Sequence, residues 1–230
     1  MTTAGTPAIS VVITTLDRAE VLSGTLESLD GQTTAPDHEV IVVDHGSTDT
    51  TPKICLPRAQ DGRLRYRRIA DVGTALAKNS GLLAARAPLV LFLDDDVAAP
   101  DLLEQHVHSH KIHPEEPVAV RGSTIWGSRF LVAPPLEHPR AGGLRGGQWS
   151  CKREFLLAHG VFDPAFTSAL VEVELAYRLA QHGFRVVDNP RAVSHLAASV
   201  TLVGLCMRAA RRDQALALAQ LHNDTDVAHL

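Results

Sequence analysis

The sequence predicts an α/β protein with an open, mostly parallel, Rossmann-like sheet flanked by helices. Three observations lead there. The runs Ile9-Ser10-Val11-Val12-Ile13, Val40-Ile41-Val42-Val43 and Leu89-Val90-Leu91-Phe92-Leu93 are β-favouring and apolar without alternation. Such runs suit strands buried on both faces, as in a parallel sheet covered by helices. Segments of helical periodicity separate them. Two of the runs end directly in carboxylates, Asp44 and Asp94-Asp95-Asp96, at the sheet edge where open α/β proteins bind ligands.

Taken in order, the first strand leads into Asp17-Arg18-Ala19-Glu20, which reads as a variant capping box. Val21, Leu22, Thr25, Leu26 and Leu29 then share one helix face, and Gly31 supplies a stop. After the second strand, Arg63, Arg65, Arg67 and Arg68 alternate with Leu64 and Tyr66, which suits an edge strand with a charged solvent face. Residues 74–85 and 100–110 read as further helices, so the first ninety-odd residues follow a βαβαβ plan. Gly122, Gly127, Pro134, Pro135, Pro139, Gly142, Gly143, Gly146 and Gly147 mark a long loop or lid. Residues 150–159 and 169–182 read as helices, the second closed by Gly183. Residues 184–187 read as a strand and 209–221 as a terminal helix.

Composition narrows the function classes. At 230 residues and 24.7 kDa the chain suits one large domain. A net charge of −4 and pI near 6.3 argue against a nucleic-acid partner. Cys55, Cys151 and Cys206 form neither a disulfide framework nor a cysteine zinc site, which fits a reducing cytoplasm. Met1–Ala8 has neither the basic flank nor the apolar core of a secretory signal. Residues 196–212 end in Arg208, Arg211 and Arg212 and are compatible with a packed helix or with peripheral membrane contact through an interfacial one. A homodimer is equally compatible with the sequence.

Three consecutive aspartates repel one another unless solvated or bound to a cation. Hard oxygen donors at a strand end suit Mg²⁺ or Mn²⁺ shared with substrate phosphates; the bland reading is a solvated turn. The wider pattern favours the former. Val42-Val43-Asp44-His45-Gly46-Ser47-Thr48-Asp49, Ala77-Lys78-Asn79-Ser80-Gly81, Leu91-Phe92-Leu93-Asp94-Asp95-Asp96, and then Gly160-Val161-Phe162-Asp163-Pro164-Ala165-Phe166 before Val171-Glu172-Val173-Glu174-Leu175-Ala176-Tyr177-Arg178-Leu179 occur in that order. Together they resemble the GT-A glycosyltransferases of the large inverting family two, over roughly residues 9–195.

That resemblance implies a single GT-A domain over residues 1–230. Residues 7–97 would form the nucleotide-sugar-binding half, 98–196 the acceptor and catalytic half, and 197–230 a C-terminal helical extension. It implies a nucleotide-sugar donor, a UDP-sugar on prevalence, and a hydroxyl acceptor. Thr14 and Thr15 would line the nucleobase and ribose pocket, Asp44 and His45 would contact the base, and Lys78 would lie beside the nucleotide. Asp94 and Asp96 would form the DXD pair, Asp94 toward the ribose and Asp96 on the metal, with Asp95 between them in the donor site. His195 matches a histidine that completes the metal shell in some relatives. His45 departs from the acid or Asn common in the family, which leaves dTDP and GDP open as nucleotides.

For the catalytic base, the family's Glu-Asp pair aligns with Val171-Glu172, so only the second acid is kept. Helical geometry adds an independent reason. Glu174 can pair with Arg178 at i+4, whereas Glu172 shares a face with Leu175, Ala176 and Leu179. A carboxylate on an apolar face near a helix start is either exposed by fraying or working in a cleft, and the second makes Glu172 the candidate base. Trp149 is assigned to the acceptor or lid region, with core packing as the bland alternative. His106, His108, His110 and His113 are read as surface residues on an outer helix, with a zinc site as the rival. Two other functions compete with transfer: a non-catalytic GT-A binding protein, and a haloacid-dehalogenase-like phosphatase using Asp94 as nucleophile. The phosphatase pattern puts its aspartate on the first core strand, whereas two strands precede this one.

Overall fold

The computed structural model describes residues 5–195 except 71, 95, 127–128, 131–143, 145–146 and 167–170. The expected terminal helix, the 196–212 stretch and most of the glycine- and proline-rich loop lie outside the described residues.

Four parallel strands, β1 (Ile9–Thr15), β2 (His38–Asp44), β3 (Arg65–Arg68) and β4 (Leu89–Leu93), lie in the order β3-β2-β1-β4. The helices α1 (Ala19–Asp30), α2 (Thr51–Gln60) and α3 (Gly73–Ala84) connect them. The chain winds from β1 outward to β3 and then returns to the other side of β1, which makes β1 and β4 flank the reversal point where such sheets bind ligands. The arginine-rich segment is the edge strand the alternation predicts. The other half contributes β5 (Val97–Ala98), α4 (Leu102–Ile112), β6 (Val118–Trp126), β7 (Arg129–Phe130), β8 (Gln148–Lys152), α5 (Arg153–His159), α6 (Val171–Ala180) and β9 (Arg185–His195). The sheet continues from β4 as β8-β6-β9-β5, with β7 paired to β6. This is the α/β, Rossmann-like architecture expected.

The lack of alternation in the first strands has the predicted cause: both faces are buried. Ile9, Val11, Ile13, Leu89, Leu91 and Leu93 pack with Leu22 and Leu26 of α1, Cys55 of α2 and Leu102 of α4. Val12, Ile41, Val43, Val90 and Phe92 pack with Leu82 of α3, Leu156 of α5 and Leu175 of α6. Full burial of each such side chain contributes about 1.5–3 kcal/mol. Gly81 sets the approach of α3 to β1, because a Cβ there would lie 2.2 Å from Val12 Cγ1.

Several local expectations give way to tertiary contacts. The helix face of α1 is as read, with Leu22, Thr25, Leu26 and Leu29 buried, but its cap is not local. Asp17 adopts φ 51° and its Oδ1 accepts from the N–H groups of Thr48 (2.6 Å) and Asp49 (3.1 Å). The Ala19 N–H instead donates to Asp49 Oδ2 at 2.9 Å. The capping box is thus exchanged for a clasp between the loops after β1 and β2.

Helix α2 has no apolar signature and carries Pro57 internally, so periodicity does not reveal it. Residues 150–152, expected to be helical, belong to strand β8. There they pair antiparallel with β4, Phe92 opposite Trp149, and satisfy an edge that would otherwise be left unpaired. Strand β9 runs well beyond 187. The β6–β9 register shifts between Arg121 and Ser123, an irregularity that takes up Pro190, since a proline in a sheet belongs at such a break. Gly122 lies within β6 rather than at the start of a loop.

Helix α4 is not peripheral. His106 and His110 are buried, which corrects their reading as surface residues; His108 is exposed. His106 Nδ1 lies 2.8 Å from Ser150 Oγ and its Nε2 2.5 Å from Gln148 Oε1. His110 Nε2 lies 3.0 Å from the same Ser150 oxygen. Burial pushes both imidazoles down to about 4. Among the described residues no three metal-ligating side chains cluster, and no helix is long and apolar enough to cross a membrane.

Candidate active site

The carboxyl ends of β1, β2 and β4 lie side by side, since Thr15 pairs with Asp44 and Val12 with Phe92. Thr14 is half-buried there and Thr15 buried. The Thr15 carbonyl accepts the His45 N–H at 3.1 Å, which brings His45 to the strand ends at 8% exposure.

Asp44, expected against the base, is fully buried. Its Oδ1 accepts the Ser47 N–H at 2.8 Å and the Gly46 N–H at 3.2 Å, and its Oδ2 accepts the Tyr66 hydroxyl at 2.5 Å. Arg68 Nε stands 4.0 Å away. Burial alone would raise the Asp44 carboxyl, yet donors from Tyr66, Ser47 and Gly46 outweigh it and hold it below the usual carboxylate range. In this arrangement Asp44 shapes the turn that carries His45. Tyr66 and Arg68 of β3, which motif reading passes over, brace that turn from the neighbouring strand through Asp44 and the Ser47 carbonyl.

At the end of β4, Asp94 is partly exposed. Its Oδ2 accepts the Gly147 N–H at 2.7 Å, and its own N–H donates to the Gly147 carbonyl at 2.9 Å. Gly147, the last glycine of the expected lid, therefore anchors on Asp94 at the end of β4. Asp96 is buried at 3% exposure and its Oδ2 accepts the Ser194 hydroxyl at 3.3 Å. His195 is opposite Val97 in the β5–β9 pairing, one residue along from each member of the Asp96–Ser194 contact. Asp95 lies outside the described residues.

The donor set suits a hard divalent cation held by one or two carboxylates with the remaining positions left to phosphate and water, rather than a cage built of protein alone.

Helix α6 brings Glu172 to the same region. It is 2% exposed, and its Oε1 accepts a hydrogen bond from Lys78 Nζ of α3. The sequence leaves Glu172 without a partner and sets Lys78 beside a nucleotide; the fold pairs them. Lys78 Nζ is also 3.9 Å from Asp94 Oδ1. Burial works against the ammonium, but the two carboxylates outweigh it and hold the Lys78 pKa above its ordinary value.

Glu174 pairs with Arg178 as the spacing predicts, through Nε–Oε1 at 2.7 Å and Nη2–Oε2 at 2.9 Å. The same guanidinium donates to the Val161 carbonyl at 2.8 Å. Glu174→Gln should therefore lower stability by about 1–3 kcal/mol and leave donor binding unchanged; paired urea melts and donor titrations check it.

Trp149, assigned to the acceptor or lid, is a core residue at 1% exposure. Its ring centroid lies 4.8 Å from that of Phe92 and 6.1 Å from that of Phe162. Its strand position on β8 decides this, because it faces the helices rather than the cleft. Asn79 is a structural residue the motif conceals: its Nδ2 donates to the Phe162 carbonyl at 2.8 Å and its Oδ1 accepts the Phe162 N–H at 2.9 Å. That pair of hydrogen bonds staples the loop before α6 onto α3, the helix that carries Lys78. A side chain bonded to the backbone of a residue 83 positions away leaves no signal in the sequence.

A model of the glycosyl transferase family 2 domain matches residues 10–179. The chain belongs to glycosyl transferase family 2. Among relatives of this family 2 chain, validoxylamine A glucosyltransferase of Streptomyces hygroscopicus subsp. limoneus is 43% identical over 114 residues, covering 47% of this chain and 25% of that protein. Chondroitin synthase of Escherichia coli is 38% identical over 99 residues, 42% of this chain and 14% of that one. The chain thus spans only a minor part of the curated relatives it matches.

Among solved structures, the mannosyltransferase PcManGT of Pyrobaculum calidifontis, in complex with GDP-Man and Mn²⁺, superposes with a TM-score of 0.73 at 23% identity, covering 96% of this chain and 65% of that one. S. aureus TarS residues 1–349 give a TM-score of 0.64 at 19% identity, covering 83% and 58%. The family 2 domain therefore has the GT-A fold.

Proposed function

We propose that this family 2 protein transfers a sugar from a nucleotide-sugar donor to an acceptor hydroxyl by single displacement with inversion. The observation that carries the reading is the convergence of Asp94, Asp96 and Glu172 at the carboxyl end of the parallel strands, with Lys78 between Asp94 and Glu172. Thr14, Thr15 and His45 would receive the nucleoside at the ends of β1 and β2. His45 bears on which base is taken: a UDP-sugar is the first candidate by prevalence in the family, and the GDP-Man held by PcManGT makes a GDP-sugar the second.

Asp96, with His195 beside it across the β5–β9 pairing, would hold Mn²⁺ or Mg²⁺. A cation bound there would offset the charge that grows on the diphosphate leaving group. Glu172 would take the proton from the acceptor hydroxyl as that oxygen attacks the anomeric carbon. The acceptor class is best matched by a small molecule or a carrier-bound sugar, a reading supported by the relative named for validoxylamine A.

A thermal-shift panel of UDP-, GDP- and dTDP-sugars with Mn²⁺ tests the donor, because a ligand that binds only the folded state raises its stability. No shift with any of them would refute the assignment. Asp96→Asn keeps the side-chain volume and removes one anionic donor. It should fold normally and lose the Mn²⁺-dependent part of donor binding, about tenfold or more in affinity. Wild-type donor hydrolysis by Asp96→Asn at limiting Mn²⁺ would show that Asp96 holds no metal.

A further inference from the structure

Lys78 is 4% exposed, and a lysine this deep stays charged only where partners offset its desolvation. Its partners are specific. The ammonium donates to Glu172 Oε1, stands 3.9 Å from Asp94 Oδ1, and lies 5.8 Å from the ring centroids of both Phe92 and Phe162. A lysine serving only the donor phosphates would have no reason to be bonded to the acid on α6.

We propose that Lys78 is a positioning residue for the base: its ammonium holds the Glu172 carboxylate at the aromatic-floored end of the site and ties it to Asp94 of the donor-binding pair. This rests on Glu172 being the base, as proposed above.

The physical reason is geometric. A general base has to be held within hydrogen-bond reach of the proton it takes; Glu172 is 2% exposed, and the Lys78 ammonium that bonds to its Oε1 sets the direction in which the carboxylate faces. The charged groups on the described elements around it are Lys78 on α3, Asp94 beyond it at the end of β4, and Glu174 on its own helix. Glu174 is already neutralised by Arg178. Lys78 is thus the cation that holds the Glu172 carboxylate in place, and the Asn79 staple next to it in sequence ties α3 to the loop before α6.

Hydrolysis of UDP-glucose and of GDP-mannose at saturating Mn²⁺ tests the coupling. Lys78→Gln should lower kcat about tenfold or more, because a small misplacement of a reacting group costs that much or more. Donor KM should stay within about threefold of wild type, because uniform binding is not what is lost. Lys78→Arg, which keeps a donor for Glu172, should restore kcat.

A Lys78→Gln protein with raised donor KM and unchanged kcat would overturn the inference and make Lys78 a donor ligand. If Lys78→Gln does not fold, Lys78→Met, which fills the same space without the charge, decides by the same split: raised KM with unchanged kcat overturns the inference. Full turnover by Glu172→Gln would instead sink the assignment of the base itself, which separates the two failures.

Discussion

Glu172→Gln should lower turnover by roughly 10² to 10⁴ while donor affinity stays near wild type, the usual contribution of a general base. The substitution keeps the side chain's length and one hydrogen-bond acceptor for Lys78, but it cannot take a proton. It also removes the anion from a buried ion pair and leaves Lys78 with Asp94 at 3.9 Å as its remaining carboxylate. A loss of up to about 3–5 kcal/mol in stability accompanies that kind of change. Rate should therefore be measured at a temperature where a melt shows the variant folded. Glu174 is the internal control, because its carboxylate is spent on Arg178 through two hydrogen bonds. If Glu174→Gln lost turnover and Glu172→Gln lost only stability, the base would move two residues along α6.

The second large effect is on stability in mild acid. His106 and His110 sit at about 4, chiefly because burial disfavours their charged forms, against about 6.5 in an unfolded chain. Between those values the unfolded state binds protons that the folded state refuses, so stability rises with pH through the window. It is fully present above about 6.5 and is lost as pH falls toward 4. A difference of this size corresponds to about 3 kcal/mol for each histidine.

Carboxylates held low in the fold, such as Asp44 and Glu39, lose their contribution only below their ordinary values near 4, so the histidine window stands apart. Urea melts at pH 7, 6, 5 and 4.5 should show a falling midpoint. His106→Gln should flatten that fall, since its amide cannot be protonated there. A wild-type midpoint unchanged from pH 7 to 5 would mean that the two imidazoles are not held neutral by the fold.

The α/β class, the three parallel apolar strands, the arginine edge strand and the Glu174–Arg178 pair were all legible in the chain. Each depends on periodicity or short spacing: unbroken apolar runs mean two buried faces, and i+4 places opposite charges on one helix surface. The carboxylates at the ends of β2 and β4 were legible as site candidates because strand direction alone fixes which edge of a parallel sheet carries the loops.

What spacing could not reach are contacts made across long stretches of chain. Lys78 and Glu172 are 94 residues apart, Asn79 and Phe162 83, and His106 and Ser150 44. None leaves a periodic trace, and long-range contacts of this kind change several local readings. Lys78 becomes a partner of the proposed base, Trp149 becomes core because β8 must satisfy the open edge of β4, and two histidines of an apparently polar helix become buried and neutral.

The sequence by itself determined the layers of this protein, its parallel sheet and the edge at which its carboxylates gather, because those follow from local propensity and burial pattern. Only the tertiary structure decided which charges meet in that edge and which polar groups are buried. Pairing and desolvation depend on distances between segments that the order of residues does not contain.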